Sequence, residues 1–429
     1  MKNLKRKAYQ RRSRWLRPGI GIKRWIALGV AGMTLIVLAL AGALRIVEQD
    51  SLARYRLPIY LASAGTVLFL TAICILIAKL WRLPAQKGGM GANVRWTDVL
   101  FNEAVLDKGP KITALGGGTG MSTLLRGLKN ITSHLTAVVT VADDGGNSGQ
   151  LRDDLGILPP GDIRNCMVAL CEAEPAMEQL LQYRFPEGAL KGQCMGNLLL
   201  AAMNDIAGGF LESVEQMQNV LAVHGRILPV SLDHLTLMAR MSGGEVVSGE
   251  SQVGHGQSAF GGRIDRVWLD PAECKALPEA LSSIRKADIL VLGPGSLYTS
   301  ILPNLLVPGV VEAIHRSNAL KIYVANLMTQ GGETEGYTVE QHMQALLDHV
   351  GPGLVDVVLV NNQTELPRDV RARYEEENAQ PASYDIQALE AMGVRVVERD
   401  LLKGENGRVR HSFSRLALAI RDIYLEERG

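Results

Sequence analysis

The chain has 429 residues, enough for two or three structural units, and its 45 Lys and Arg nearly balance its 44 Asp and Glu. The balance hides a split: residues 1–88 carry a net charge of +14 and residues 89–429 a net charge of −13, so the larger part is a poor phosphate-backbone binder and general nucleic-acid binding is excluded. A 47% hydrophobic share excludes a mainly disordered chain, and five cysteines without a CxxC exclude a disulfide scaffold or a cysteine zinc site.

Residues 1–24 form a basic leader with ten Lys and Arg and no acid, suited to lie against anionic lipid. Trp25–Leu44 and Leu57–Ala78 then run 20 and 22 residues without a charge. As helices each reaches about 30 Å, the thickness of a bilayer core. A cleaved signal peptide would share the leader, but a second apolar run follows twelve residues later. Lys79, Arg82 and Lys87 make the outer flanks the positive ones. The sequence therefore predicts a transmembrane hairpin over 25–82, with both ends cytoplasmic and the protein multi-pass in the cytoplasmic membrane. Residues 83–98, with Pro84 and three glycines, read as a linker to a cytoplasmic domain at 99–429.

That domain alternates short apolar runs with helical patterns. The runs are Lys111–Leu115, Leu135–Ala142, Asp288–Leu292, Lys321–Ala325 and Val355–Val360. Helical patterns lie near 163–182, 195–207, 211–223, 307–317 and 338–349, and a terminal helix carries Leu416, Ala419, Ile420, Ile423 and Tyr424 on one face. The expected fold class is α/β, a Rossmann-like doubly wound parallel sheet. Region 226–270 alternates polar and apolar residues and is expected to be a peripheral β segment.

Each run ends in a polar cluster, and ligands of open α/β sheets bind at such ends. Gly116, Gly117, Gly118, Thr119 and Gly120 stand between the first run and a helix, where backbone amides and the helix dipole favour a phosphate. No Gly-Lys-Ser/Thr follows, so this is not a Walker A loop, and Met121 breaks the G-x-G-x-x-G pattern of dinucleotide dehydrogenases. Asp143 and Asp144 open a loop that continues through Asn147 and Ser148. Two such carboxylates suit Mg²⁺ beside a phosphate, or ribose hydroxyls, or an Asx turn. Asp144 is expected to be the more direct ligand contact. Asp162 reads as the N-cap of a helix, with Arg164 free to meet a diphosphate and Asn165 beside it. Asn197 closes a further Gly-rich loop. Gly295 and Ser296, then Asn326, Thr329 and Gln330, complete one composite nucleotide site. The eight histidines form no HxxxH pair and no serine sits in a G-x-S-x-G elbow.

Five motifs in order carry a resemblance: Ala114–Gly120, Val141–Gly149, Gly161–Asn165, Leu292–Ser300 and Asn326–Gln330. Residues 111–425 resemble the gluconeogenesis factor family (YvcK-like), itself similar to 2-phospho-L-lactate transferase (CofD-like). The resemblance implies a Rossmann-like core, a nucleotide-sugar ligand such as UDP-N-acetylglucosamine, and a role in carbon-source-dependent growth, cell shape and wall precursor supply. The transferase relatives use Mg²⁺ with a carboxylate at the position of Asp143 and Asp144. The hairpin departs from the common form of the family.

The leading expectation is thus a membrane-tethered, nucleotide-sugar-binding regulator. The alternatives are a Mg²⁺-dependent phosphoryl-type transferase with Asp143 or Asp144 as catalytic candidates, and an NAD(P)-dependent oxidoreductase. Mg²⁺ is the expected cofactor, with no flavin, haem or zinc. Expected partners are a UDP-sugar, the membrane, a protein of cell-wall or carbon metabolism, and a second copy in a homodimer.

Overall fold

The computed structural model describes residues 22–46, 56–81 and 106–428, apart from 173–174, 257–258, 260–261, 364, 367 and 406. The leader up to residue 21, the loop 47–55 and the linker 83–98 lie outside the described residues. The chain divides into two compact units, Met1–Val105 and Leu106–Gly429.

In the smaller unit, helix α1 (Ile22–Ile46) packs against helix α2 (Arg56–Trp81). The two run antiparallel, because Gly29 faces Ala72, Gly32 faces Gly65 and Gly42 faces Pro58. Small residues let the backbones touch: a Cβ on Gly32 would stand 2.7 Å from the Gly65 carbonyl oxygen. Ala39 and Ala72 are buried in this seam, while Val30, Val37, Leu40, Leu57, Ile59 and Val67 face outward. The hydroxyls of Thr34, Ser63, Thr66 and Thr71 donate to carbonyls one turn back, so the outward surface keeps few free donors. Among the described residues, Leu57–Ile75 is long and apolar enough to cross a membrane by length and composition, and the comparable stretch of α1, Ala27–Ala43, is shorter.

The larger unit begins with β1 (Ile112–Gly116), β2 (Leu135–Val139) and β3 (Arg226–Pro229). The chain then forms a separate antiparallel sheet from β4 (Thr236–Met241), β5 (Val246–Ser248) and β6 (Ile264–Asp270). It returns as β7 (Ile289–Leu292), β8 (Leu320–Val324), β9 (Val357–Asn361) and β10 (Arg395–Arg399), and ends with a hairpin of β11 (Leu402–Glu405) and β12 (Arg408–His411). The main sheet has seven parallel strands in the order β10-β9-β8-β7-β1-β2-β3. Its central strands are buried on both faces, which explains their largely apolar runs.

This is the Rossmann-like α/β sheet that the apolar runs predicted. Two details differ. Arg226–Pro229 belongs to the main sheet rather than to the peripheral segment, which holds β4 to β6. Strand β10 was missed because Arg395, Glu398 and Arg399 interrupt its apolar character, as an edge strand with one solvated side allows. Helix Gly118–Leu128 packs against β1 and the terminal helix Phe413–Arg428, with Gly127 placed against the Phe413 carbonyl.

Candidate functional site

Strand order reverses direction between β1 and β7. The chain winds outward from β1 through β2 to β3, then starts again at β7 and winds the other way. Such a switch point opens a crevice at the carboxyl ends of its two strands. A cleft of about 250 Å³ lies there. Gly117, Gly118, Thr119, Gly120 and Thr123 line one side, and Pro294, Gly295, Ser296 and Ser300 line another. Asn326, Leu327, Met328 and Gln330 follow from the end of β8, and Tyr374, Val409, Arg410 and His411 complete the wall.

The two Gly-rich loops touch. A Cβ on Gly120 would run into the Pro294 carbonyl, so any larger residue would push the loops apart. Gly118 has a φ of 64°, a left-handed backbone that a side chain would strain. Thr119 and Gly120 sit in the first turn of helix Gly118–Leu128, where the helix itself supplies no acceptor for their amides. The Gly118 amide instead donates to Asp162 Oδ2 at 2.7 Å.

Asp162 is therefore not the N-cap of its own helix, Gly161–Leu170; Pro160 holds that position. Its carboxyl serves the neighbouring helix. Burial and the nearby Asp143 push it up to about 6, against hydrogen bonds from the Gly118 amide and Asn165 and the charge of Arg164. Asp143 accepts from the Gly145 amide at 2.8 Å and hydrogen-bonds Glu250. Burial first, then Asp143, raise the Glu250 carboxyl far above the ordinary carboxylate range, so Glu250 is neutral near pH 7.

Asp144 turns elsewhere. Its Oδ1 accepts from the Ser251 amide at 2.8 Å, in the first turn of helix Glu250–Val253. That position disfavours the expectation of Asp144 as the direct ligand contact; Asp143 points to the shared carboxyl cluster. Neighbouring residues on extended backbone face opposite ways, and tertiary packing decides which one faces inward.

Other expected site residues do not line the cleft. The Asn147 side-chain oxygen accepts from the Cys194 amide at 3.0 Å and from Asn197 Nδ2 at 2.8 Å, and its Nδ2 meets Gln193. Ser148 is buried against Gly161. Arg164 is buried and places Nη1 3.2 Å from Cys194 Sγ, outside the cleft wall. Thr329 pairs with Gln380 through both backbone and side chain. The Gly116 carbonyl accepts from Asn304 Nδ2 at 3.0 Å. Gly117–Gly120, Gly295, Ser296, Asn326 and Gln330 do meet in the cleft.

Sequence reading missed Glu250, Tyr374, Arg410 and His411. The exposed Arg410 makes no ion pair among the described residues. The Tyr374 hydroxyl accepts from the Val409 amide at 2.9 Å and so holds the strand that carries Arg410. Burial pushes the His411 ring down to about 4, and it is neutral near pH 7. No motif marks these positions, since a short edge hairpin has no phosphate-loop signature.

The Mg²⁺ expectation meets a mixed donor set. Among the described residues no three His, Cys, Asp or Glu side chains are arranged to hold a metal ion. Mg²⁺ needs one or two carboxylates, with water and phosphate filling its other positions. Asp143 and Glu250 supply hard oxygens of that kind, though burial and Asp143 favour the neutral form of Glu250.

Residues 112–402 match the family described as 2-phospho-L-lactate transferase CofD. The gluconeogenesis factor of Bacillus subtilis is 47% identical over 318 residues, 74% of this chain and 99% of that protein. A relative carrying the same family name in Clostridium acetobutylicum is 42% identical over 417 residues, 96% of this chain and 92% of the relative. A crystal structure from Bacillus halodurans superposes with a TM-score of 0.70 at 48% identity, covering 73% of this chain and all of that one. A second crystal structure from that organism, of a protein assigned to the UPF0052 family, gives 0.69 at 49% identity, covering 72% and 98%. With a CofD-type core and relatives of this name matched almost end to end, the chain belongs to the gluconeogenesis factor family.

Proposed function

We propose that this chain is a membrane-tethered regulator that binds a nucleoside diphosphate sugar, a UDP-sugar such as UDP-N-acetylglucosamine, at the switch-point cleft. The observation that carries the reading is the convergence of Gly117–Gly120, Gly295–Ser296 and Arg410 on one space of about 250 Å³. The Thr119 and Gly120 amides supply hydrogen bonds to the diphosphate, the Ser296 hydroxyl joins them by turning from Gln330, and Arg410 supplies the cation. Asn326 and Gln330 face the base or sugar. The α1–α2 hairpin, apolar outside and sealed by small residues within, anchors the protein in the cytoplasmic membrane with the larger unit in the cytoplasm. Ligand occupancy then biases a surface read by a partner of carbon or cell-wall metabolism, because a ligand signals through its differential affinity for two states.

A second reading is a Mg²⁺-dependent transferase of phosphorus-containing groups, favoured by the Asp143–Glu250 pair beside the Gly-rich loop. The ion, held by those two carboxylates, would neutralise charge on the phosphate oxygens.

Calorimetry of the purified full-length chain with UDP-N-acetylglucosamine tests the first reading. Binding is expected, and Arg410→Ala should weaken it by about 1.5–3 kcal/mol, the range for a charged hydrogen bond, or roughly 10- to 150-fold. No binding by the wild type, or equal binding by the variant, would overturn this assignment. Release of UMP, with the sugar phosphate passed to an acceptor, would favour the transferase.

A further inference from the structure

Beneath the cleft lies a carboxylate that no motif required. Glu333 has no exposed surface. Its Oε1 accepts from the Tyr298 amide at 2.7 Å and the Thr299 amide at 3.3 Å, at the start of the helical segment that follows Gly295 and Ser296. Its Oε2 is buried without a partner. The Ser296 hydroxyl, which lines the cleft, donates to Gln330 Oε1 at 2.6 Å and lies near enough to Glu333 to favour its charged form. One hydroxyl therefore separates a buried carboxyl from the space where the diphosphate is placed.

We propose that Glu333 is a positioning residue that couples occupancy of the cleft to proton uptake, acting through the Ser296 hydroxyl and the Tyr298 and Thr299 amides. The proposal rests on the reading of the cleft as a diphosphate site. A charged Glu333 repels an anion held by Ser296, and an orphaned carboxylate oxygen in a buried site carries that repulsion with little screening. A neutral Glu333 keeps its acceptor for the two amides and removes the charge. Burial is the main cause that brings this carboxyl to about 7, against the two amides and Ser296, so a small change in its surroundings shifts its charge near neutrality.

Among the described residues around Glu333 and the cleft, Asp162 alone titrates at the edge of this window. Burial raises the Tyr298 and Tyr323 phenols, and both stay neutral. Glu250, on the helix after β5, is held protonated by burial and Asp143. Asp162 accepts from the Gly118 amide at the cleft and titrates at about 6, in the wild type and in a Glu333 variant alike, so comparison of the two proteins separates it from Glu333. The His411 ring in the cleft wall is neutral throughout. The diphosphate of a nucleotide sugar, esterified at both ends, has no ionisation of its own near pH 7.

The test is calorimetric binding of UDP-N-acetylglucosamine to the full-length chain between about pH 6 and pH 8. If the ligand raises the Glu333 carboxyl by about one unit, wild-type affinity should fall roughly fivefold across that range. Glu333→Gln keeps the amide contacts without the charge and should bind with a flatter profile than the wild type, retaining only the part due to Asp162. A second measurement uses the wild type alone. Binding enthalpies at pH 7 in two buffers of different ionisation enthalpy should reveal net proton uptake. Absent binding at every pH would overturn the cleft assignment itself. Binding with no proton uptake, or a Glu333→Gln profile as steep as the wild type, would overturn the role of Glu333 and leave the cleft assignment standing.

Discussion

Asp162→Asn isolates the energetic consequence of burying a carboxyl at the Gly-rich loop. The asparagine oxygen can still accept from the Gly118 amide, so the loop keeps its 2.7 Å contact while the charge is lost. The wild-type carboxyl stands at about 6 in the folded chain, against an ordinary value of 3.8. A folded value above the unfolded one means that the folded state binds this proton more tightly. The stability it contributes is full below about pH 4 and lost as pH rises through about 6. A difference of about two units at about 1.4 kcal/mol each gives roughly 3 kcal/mol, an order-of-magnitude figure. Relative to the variant, the wild type should therefore lose about 3 kcal/mol of unfolding free energy between pH 4 and pH 7. Urea unfolding of both full-length proteins at several pH values, followed by ellipticity, measures this difference. Glu250 and Glu333 are present in both proteins, so their own titrations largely cancel. Parallel stability curves for the two proteins would refute the claim that Asp162 is held against ionisation. A wild type that gains on the variant with rising pH would show that Arg164 and the Gly118 amide outweigh desolvation.

Two other perturbations probe packing. Gly120→Ala places a methyl against the Pro294 carbonyl, and prying the two loops apart should cost about 1–3 kcal/mol and weaken UDP-sugar binding, read by thermal unfolding and calorimetry. Unchanged values of both would mean that the loops do not hold each other. Gly65→Leu should separate α1 from α2, because even a Cβ there would lie 2.6 Å from the Gly32 carbonyl oxygen. Disulfide trapping between cysteines placed at Gly29 and Ala72 should succeed in the parent and fail in the variant, and equal trapping would count against the seam.

The sheet was legible in the sequence because a strand buried on both faces must be apolar at every position. Ile289–Leu292 meets that demand outright, and Ile112–Leu115 and Leu135–Val139 break it only at Thr113 and Thr136, β-branched residues that suit a strand. The edge strand β10 does not, and its charged residues hid it. The Gly-rich loops were legible for a similar reason: Gly118 and Gly120 answer to local backbone geometry and close approach. Roles that depend on direction were not. Asp143 and Asp144 are adjacent and chemically alike, and only the position of Ser251 draws one of them away from the shared carboxyls. Arg164 follows a helix start as a phosphate-binding arginine would, yet folding buries it against Cys194. Arg410 and His411 lie nearly 300 residues beyond Gly117 in the chain and reach the same cleft because β12 is held there by Tyr374. Local pattern fixes which backbone forms and which loops bend. The identity of the groups that share a cavity is set by contacts between segments distant in sequence, and those exist only in the folded chain.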